Sequence, residues 1–518
     1  ECTWSYDLEK VLDWSKALDD ELALKNVHQD LTGDWYRDPW GWPELDFVVH
    51  SERSILLDRV SSNGVSRVAN VDVPKEGFAS RPAVVIDPVD RLLYQCFVDR
   101  ISKKVTEGIE PWVYGWRLRR RNPKPGVLAR NDFEWEGQRA RLGQLVANHE
   151  YGFKTDIVSC FASMPINRVI EDIEHRTSGS QVLVDRLGEM LRQWDAAPNR
   201  RGLPQRNVGS SVLANMYLMN LDEIVTDYNK RSSRLGRRRI HRSTRWMDDL
   251  WVFGEDEGRL RRLQVDLQDS ARNLGLELHA AKTGIYEGDR LADAALQANH
   301  SAVEDALLVL GEKPDLEPLQ ELVDHLLDEP ESADRTSIRF ACVRLRKHSM
   351  KAEATKLLDQ AMRMPHVADH LSRLAHDLGL WSSLMAWYPE YVNSDWARFS
   401  WTNAQLATMF PSRAKVSQDV IDCLATQLAA GRDLPLLAVG IQRLMRWAPD
   451  TARDLIRDLA SSTDHPLERR LLALGSLGLK EPRQRIRDLL GAYPESHVTL
   501  RLIEDRSFSP IPVAADFR

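Results

Sequence analysis

The stretch Arg245-Trp-Met-Asp-Asp-Leu-Trp-Val-Phe253 decides how the chain is read. Two adjacent carboxylates, Asp248 and Asp249, lie between runs of β-favouring residues, which predicts a hairpin with at least one carboxylate at its tip. A second stretch, Gly152-Phe-Lys-Thr-Asp-Ile-Val-Ser-Cys-Phe161, carries Asp156 within a strand predicted over 151–158. That third carboxylate, on a neighbouring strand, would complete a cage of hard oxygens suited to Mg²⁺. Two such ions about 4 Å apart activate a 3′-hydroxyl and steady a leaving pyrophosphate in in-line phosphoryl transfer, and the chemistry needs no other nucleophile. Taken alone, an Asp-Asp pair is more often a solvated turn, so the surrounding sequence has to decide.

Working outward, β-like runs alternate with helical ones from about 76 to 290. Ala83-Val-Val-Ile86 reads as a strand, while Arg91–Ile101 and Val208–Tyr228 have helical spacing, a mixture that predicts an α+β domain. Residues 1–75 open with an amphipathic stretch (Leu8, Val11, Leu12, Trp14, Leu18) and continue into the Trp-dense segment Gly33–Pro43, which reads as an irregular packed loop. Beyond about 300 an acidic segment gives way to short helices punctuated by proline. Ala452, Leu455, Ile456 and Leu459, and again Ile486, Leu489, Leu490 and Tyr493, are spaced as one apolar helix face. Pro449, Pro466 and Pro482 recur near helix starts, which suggests a paired-helix unit of roughly 33 residues, as in an α-solenoid.

The length, 518 residues, predicts several domains, and 43% hydrophobic with 28% charged residues is ordinary globular composition. With Lys+Arg 70 against Asp+Glu 77 the net charge is −7, so any nucleic-acid site must be local. The five cysteines include no CxxC pair, which argues against a disulfide framework or a cysteine zinc site and fits a reducing cytoplasm. No apolar run approaches the roughly 18 residues a membrane span needs, and there is no basic-then-apolar leader, although Glu1 in place of Met suggests a trimmed start. A cytoplasmic protein without a membrane partner is expected.

The ordered series Asp156 with Phe161, then Gly202-Leu-Pro-Gln-Arg-Asn-Val-Gly-Ser-Ser211, then Trp246-Met-Asp-Asp249, then Leu274-Gly-Leu-Glu-Leu-His-Ala-Ala-Lys-Thr283, resembles motifs A, B, C and D of the reverse transcriptases. Upstream, Arg81–Arg91 is similar to the strand and helix of that family's fingers, and Tyr114-Gly-Trp-Arg117 to its short aromatic motif. The resemblance implies Asp156 and Asp248 as metal ligands for Mg²⁺, with Mn²⁺ as the alternative, and Asp249 as a supporting carboxylate. It places Phe161 beneath the incoming sugar, excluding a 2′-hydroxyl and favouring dNTP, and Gln205 beside the nucleotide and template. Ser210, with Gly209 and Ser211, would let the backbone approach closely. Lys282 would protonate the pyrophosphate or neutralise its charge, and a solvated lysine remains the alternative. Arg81 and Arg117 are candidates to grip the triphosphate. Arg119, Arg120 and Arg121, with Arg237, Arg238 and Arg239, form basic runs flanking the palm that would neutralise the phosphates of an RNA or DNA strand, while Trp112, Trp116 and Trp246 could stack bases.

The chain departs from the family in motif B, where Arg206 stands in place of Gly and Ser211 in place of a frequent Pro, and in motif C, where Trp246 replaces Tyr. A bulky cation beside the template favours template-independent transfer over ordinary copying. The expected organisation is an N-terminal helical and loop extension (1–75), reverse-transcriptase fingers and palm (76–290), and a thumb-like segment with an all-α, HEAT-like helical repeat domain (291–518). That architecture resembles bacterial abortive-infection and defence-associated reverse transcriptases, which implies anti-phage defence, homo-oligomers, a noncoding RNA partner in some cases, and priming from a protein hydroxyl in others. Tyr388, Tyr391 and Tyr493 are primer candidates with the stronger alternative of core packing. A different class of reading is a nucleic-acid-binding helical scaffold, or an abortive-infection effector with an inactive palm. Arg363 and His370 have the spacing of a HEPN-type ribonuclease motif, but Pro365 interrupts the helix they would share.

Overall fold

The computed structural model describes residues 12–505 except 32, 63, 233–241, 297–299, 301–302, 304–305, 308–314 and 432. Part of the N-terminal amphipathic stretch (Leu8, Val11) and Arg237, Arg238 and Arg239 therefore lie outside the described residues. From Leu12 the chain forms a short helical turn, then helix α1 (Asp20–Leu31), the Trp-rich loop, and α2 (Pro43–His50), which starts with proline where a missing N–H costs nothing. The loop is a packed element, as expected: Trp35, Trp40 and Trp42 are all buried.

Two sheets follow. Strands β1 (Ala69–Pro74) and β2 (Ser80–Val85) form an antiparallel hairpin whose arms fall on either side of residue 75, with Val73 opposite Arg81. The larger sheet has the order β3-β5-β6-β4-β7, from β3 (Val113–Tyr114), β4 (Tyr151–Thr155), β5 (Ser243–Trp246), β6 (Asp249–Gly254) and β7 (Gly284–Glu287). Only the β3–β5 pairing is parallel. The unbroken apolar run Leu250–Phe253 is explained by burial on both faces. Leu250 and Val252 join the main core, while Trp251 and Phe253 stack at 5.9 Å and pack against Leu142 and Leu145 of α4 (Asn131–Asn148). The strand predicted over 151–158 stops at Thr155, because Asp156 turns the chain and Ile157 makes only an isolated bridge to Leu278.

Behind the sheet lie α3 (Pro88–Val105), α5 (Val208–Ser232) and α6 (Glu257–Asn273), with α3 and α6 each packed on α5. Asp87 caps α3 by accepting from the amides of Val89 and Asp90. After Glu287 the described residues contain helices and no strand. Alternate helices stack in one row: α7 (Arg335–Lys347), α8 (Ala368–Asp377), α9 (Ser400–Ala407), α10 (Leu434–Trp447) and α11 (Pro466–Gly478). Pro449 and Pro466 occupy first helical turns and Pro482 caps the next helix, as their spacing suggests. That last helix stops at Leu490, one turn short of the expected Tyr493, because Gly491 ends it. Arg363 sits in a separate 3₁₀ turn, paired with Glu331, so it does not share a helix with His370. No described helix is long and apolar enough to cross a membrane.

The row is locked to the N-terminal extension by Arg470 on α11. Its side chain is 3% exposed and pairs with Glu44 (Nε to Oε1 2.7 Å) and Asp38 (Nη1 to Oδ1 3.0 Å), both fully buried. Thr499 donates to Glu44, the Trp42 amide donates to Asp38, and the Trp42 ring lies 4.3 Å from the guanidinium. These extra donors matter because two carboxylates share one cation out of water. Arg470→Ala leaves both charges uncompensated and is expected to cost about 3–5 kcal/mol in urea denaturation. A loss below about 1 kcal/mol, the size of a surface pair, would contradict this account.

Candidate active site

The carboxylates are presented by a two-residue turn. Trp246 pairs with Asp249, so Met247 and Asp248 form the tip, with Met247 in the left-handed region at φ 54°. Arg245 holds that unusual backbone, its Nη1 donating to the Met247 carbonyl at 2.7 Å and to Asn215 at 3.0 Å. Arg245 is itself buried and forked onto Asp222 of α5 at 2.8 and 2.6 Å. It is therefore scaffold, its guanidinium engaged by Asp222, Asn215 and the Met247 carbonyl.

Asp156, at the end of β4, accepts from the Ile157 amide at 2.9 Å and from Lys282 Nζ at 2.7 Å. Asp248 lies against it. Burial, and next the charge of Asp156 and a hydrogen-bond contact between the two carboxyls, push Asp248 up to about 7. Burial also raises Asp249, opposed by the charge of Lys154, and its Oδ1 is buried without a partner. For Lys282 burial opposes the charge, but the bond to Asp156 outweighs it and the pKa rises. Among the described residues no three His, Cys, Asp or Glu side chains stand together as a metal site. The described structure sets Asp156 and Asp248 as a facing pair, with Asp249 next to them in the chain.

The motif B loop is clipped onto the short helix Cys160–Ser163, which carries Phe161. The Leu203 amide donates to the Phe161 carbonyl at 2.9 Å. Gly202 allows this approach: its φ is +73°, and a Cβ there would sit 2.1 Å from that carbonyl oxygen. Phe161 and Gln205 are half-buried. Ser210 faces the other way, fully buried and 3.0 Å from the Tyr94 hydroxyl on α3, so its expected contact with nucleotide is corrected to a helix–helix packing role.

The structure brings Arg81 to the site, within electrostatic reach of Asp248 and Asp156, although burial lowers its pKa. It does not free Arg117, which is buried and forked onto Glu134 at 2.6 and 3.2 Å; a triphosphate grip would cost the half-buried Glu134 its ion pair. Arg119, Arg120 and Arg121 are exposed, and Arg119 and Arg120 line a groove of about 540 Å³ with Lys103 and Lys104. Trp246 is engaged edge-on by Trp116 at 5.5 Å and Trp135 at 5.0 Å, and Trp112 is buried, so stacking on bases is left to the exposed rims, Trp135 among them. Tyr388 and Tyr391 are buried in the helical row. Sequence reasoning missed Trp35 and Arg335, which flank the site from the extension and the helical row; their meeting is visible only once the chain is folded.

In metal-free protein the raised Asp248 carboxyl stabilises the fold while protonated. That contribution is complete below the ordinary value of 3.8 and is lost as pH rises to about 7. Asp248→Asn, which does not titrate, is expected to gain on the wild type across that window by up to about 1.4 kcal/mol per pH unit and then level off, measured by denaturation in chelator. A difference independent of pH would place Asp248 in solvent.

No curated protein matches the chain. Residues 73–318, which hold β2, the five-stranded sheet and the facing carboxylates, match the family model for reverse transcriptase (RNA-dependent DNA polymerase).

Proposed function

We propose that the chain is a divalent-cation-dependent DNA polymerase acting in bacterial defence against phage, RNA-directed or working without a template. A reverse-transcriptase domain implies nucleotidyl transfer and binding of nucleotide and nucleic acid. The observation that carries the finer reading is the contact of Asp156 and Asp248 at a rigidly held hairpin tip. Two hard-oxygen donors that repel one another, with an unpartnered Asp249 oxygen beside them, suit Mg²⁺ or Mn²⁺, which usually take one or two carboxylates and complete their shell with phosphates and water. When bound, such an ion supplies activation of the attacking hydroxyl and charge neutralisation at the phosphates. Asp156 and Asp248 would hold it, Lys282 keeps a positive charge at Asp156 Oδ2 for the departing pyrophosphate, and Phe161 would press on the sugar.

The defence role is supported by the fusion of this domain to a stacked helical row, an arrangement that resembles abortive-infection and defence-associated reverse transcriptases. Homo-oligomers and a noncoding RNA partner belong to the same resemblance. Template-independent synthesis is favoured by one observation. Arg206 keeps a left-handed backbone, φ 54°, the conformation that suits the glycine found there in the family, yet its guanidinium lies 4.4 Å over the Trp35 ring, on the motif B side of the site.

Asp156→Asn and Asp248→Asn are each expected to lower incorporation of labelled dNTP at least about a hundredfold in Mg²⁺ with the fold intact. Full activity in either would sink the metal-site reading. Arg206→Gly removes the guanidinium and relieves the backbone, and is expected to raise the template-dependent share of synthesis; an unchanged share would leave Arg206 out of template choice.

A further inference from the structure

Three guanidinium groups converge on one indole. Arg81 from β2, Arg206 from the motif B loop and Arg335 from the start of α7 lie 5.1, 4.4 and 5.3 Å from the ring centroid of Trp35. Trp35 is fixed in turn by the helical row, since Trp401 of α9 donates its ring N–H to the Trp35 carbonyl at 2.8 Å and packs edge-on at 6.1 Å. Each cation gains from the ring's electron-rich face, but together they repel. Burial, then each other's charge, lowers the pKa of Arg206, and burial and Arg335 act the same way on Arg81.

The local acids do not balance this charge. Asp34 and Asp30 are taken by Arg91, at 2.6 and 3.7 Å. Asp369 holds one edge of Arg335 at 2.7 Å, and the His366 carbonyl holds another. Neither Arg81 nor Arg206 has a side-chain hydrogen bond or ion pair among the described residues, and Arg206, although crowded by neighbouring side chains, keeps part of its surface in solvent. Lys75 and Lys282 continue the cationic line towards Asp156, with Glu76 interspersed.

We propose that Arg81, Arg206 and Arg335, gathered on Trp35, form a site for a chain of phosphates that the helical row completes by supplying Arg335. Planar guanidiniums are matched to phosphate oxygens, those of Arg81 and Arg206 are paired with no acid among the described residues, and preorganisation on a buried indole lowers the ordering cost of binding. The site's place beside the carboxylates rests on the polymerase reading. The helical row is then part of the nucleotide or strand site and not an appended module. The phosphates belong either to a free triphosphate or to a strand backbone.

The test is equilibrium binding to the full chain in chelator, with inorganic tripolyphosphate and, separately, a short single-stranded oligodeoxynucleotide. Arg206→Gln and Arg335→Gln are each expected to weaken binding about tenfold or more. Loss confined to tripolyphosphate assigns the site to a nucleotide's tail, and loss confined to the oligonucleotide assigns it to a strand. Asp369→Asn breaks the same internal pair as Arg335→Gln but keeps the guanidinium, so it is expected to retain binding. Equal loss in those two variants, no binding by the wild type, or unchanged binding in Arg206→Gln would each overturn the proposal. Because no turnover is read, a chain that binds phosphate yet incorporates no nucleotide would defeat the polymerase reading and leave this site standing.

Discussion

The guanidinium of Arg470, shared by the buried carboxylates of Asp38 and Glu44, fixes where the N-terminal extension lies against the helical row. Much else depends on that placement. The loop it anchors carries Trp35, and the same row covers β1 through α9 and α10 and reaches α2 through the C-terminal helix His497–Glu504. A buried ion pair of this kind is a poor source of net stability compared with a well-packed apolar substitute, but it tolerates few alternative arrangements. Its contribution here is register: it sets which helical residues stand over the cleft.

A second constraint governs the cleft itself. Asp156 and Asp248 are held close enough to raise the cost of ionising both, and the hairpin cannot relax to separate them. Arg245 pins the tip to α5 through Asp222 and Asn215, and β4 and β6 are adjacent in the sheet. The strain is electrostatic and is relieved by a cation. Lys282 supplies part of that relief, which explains why this lysine is drawn to Asp156 while most of its side chain stays in solvent.

What could be read in the sequence follows the range of the interactions. The hairpin at 245–253, the helices around 91–101 and 208–228, and the packed Trp-rich loop were legible because each is set by local patterning. The motif series led to the expectation that the segment around 202–205 lies beside Phe161, and the Leu203 amide on the Phe161 carbonyl joins those two stretches. Ser210 and Arg117 misled for a shared reason: a serine after glycines and an arginine after an aromatic pair look available in sequence. Tyr94 and Glu134, which occupy them, are distant in the chain and carry no motif. Trp246 was claimed by Trp116 and Trp135 in the same way. Arg335 had no signal at all, since nothing in α7 distinguishes an arginine aimed at the cleft from one in water.

The packing of β1 beneath α9 and α10 also bears on how such a chain can be remodelled in evolution. The segment that matches the polymerase family begins within a strand whose other side is covered by helices encoded far downstream. A recombination event that exchanged the helical row alone would strip β1 and orphan Asp38, Glu44 and Trp35 together. Inheritance of the row is therefore tied to inheritance of residues 33–50, and the two segments, far apart in the sequence, are expected to change in step.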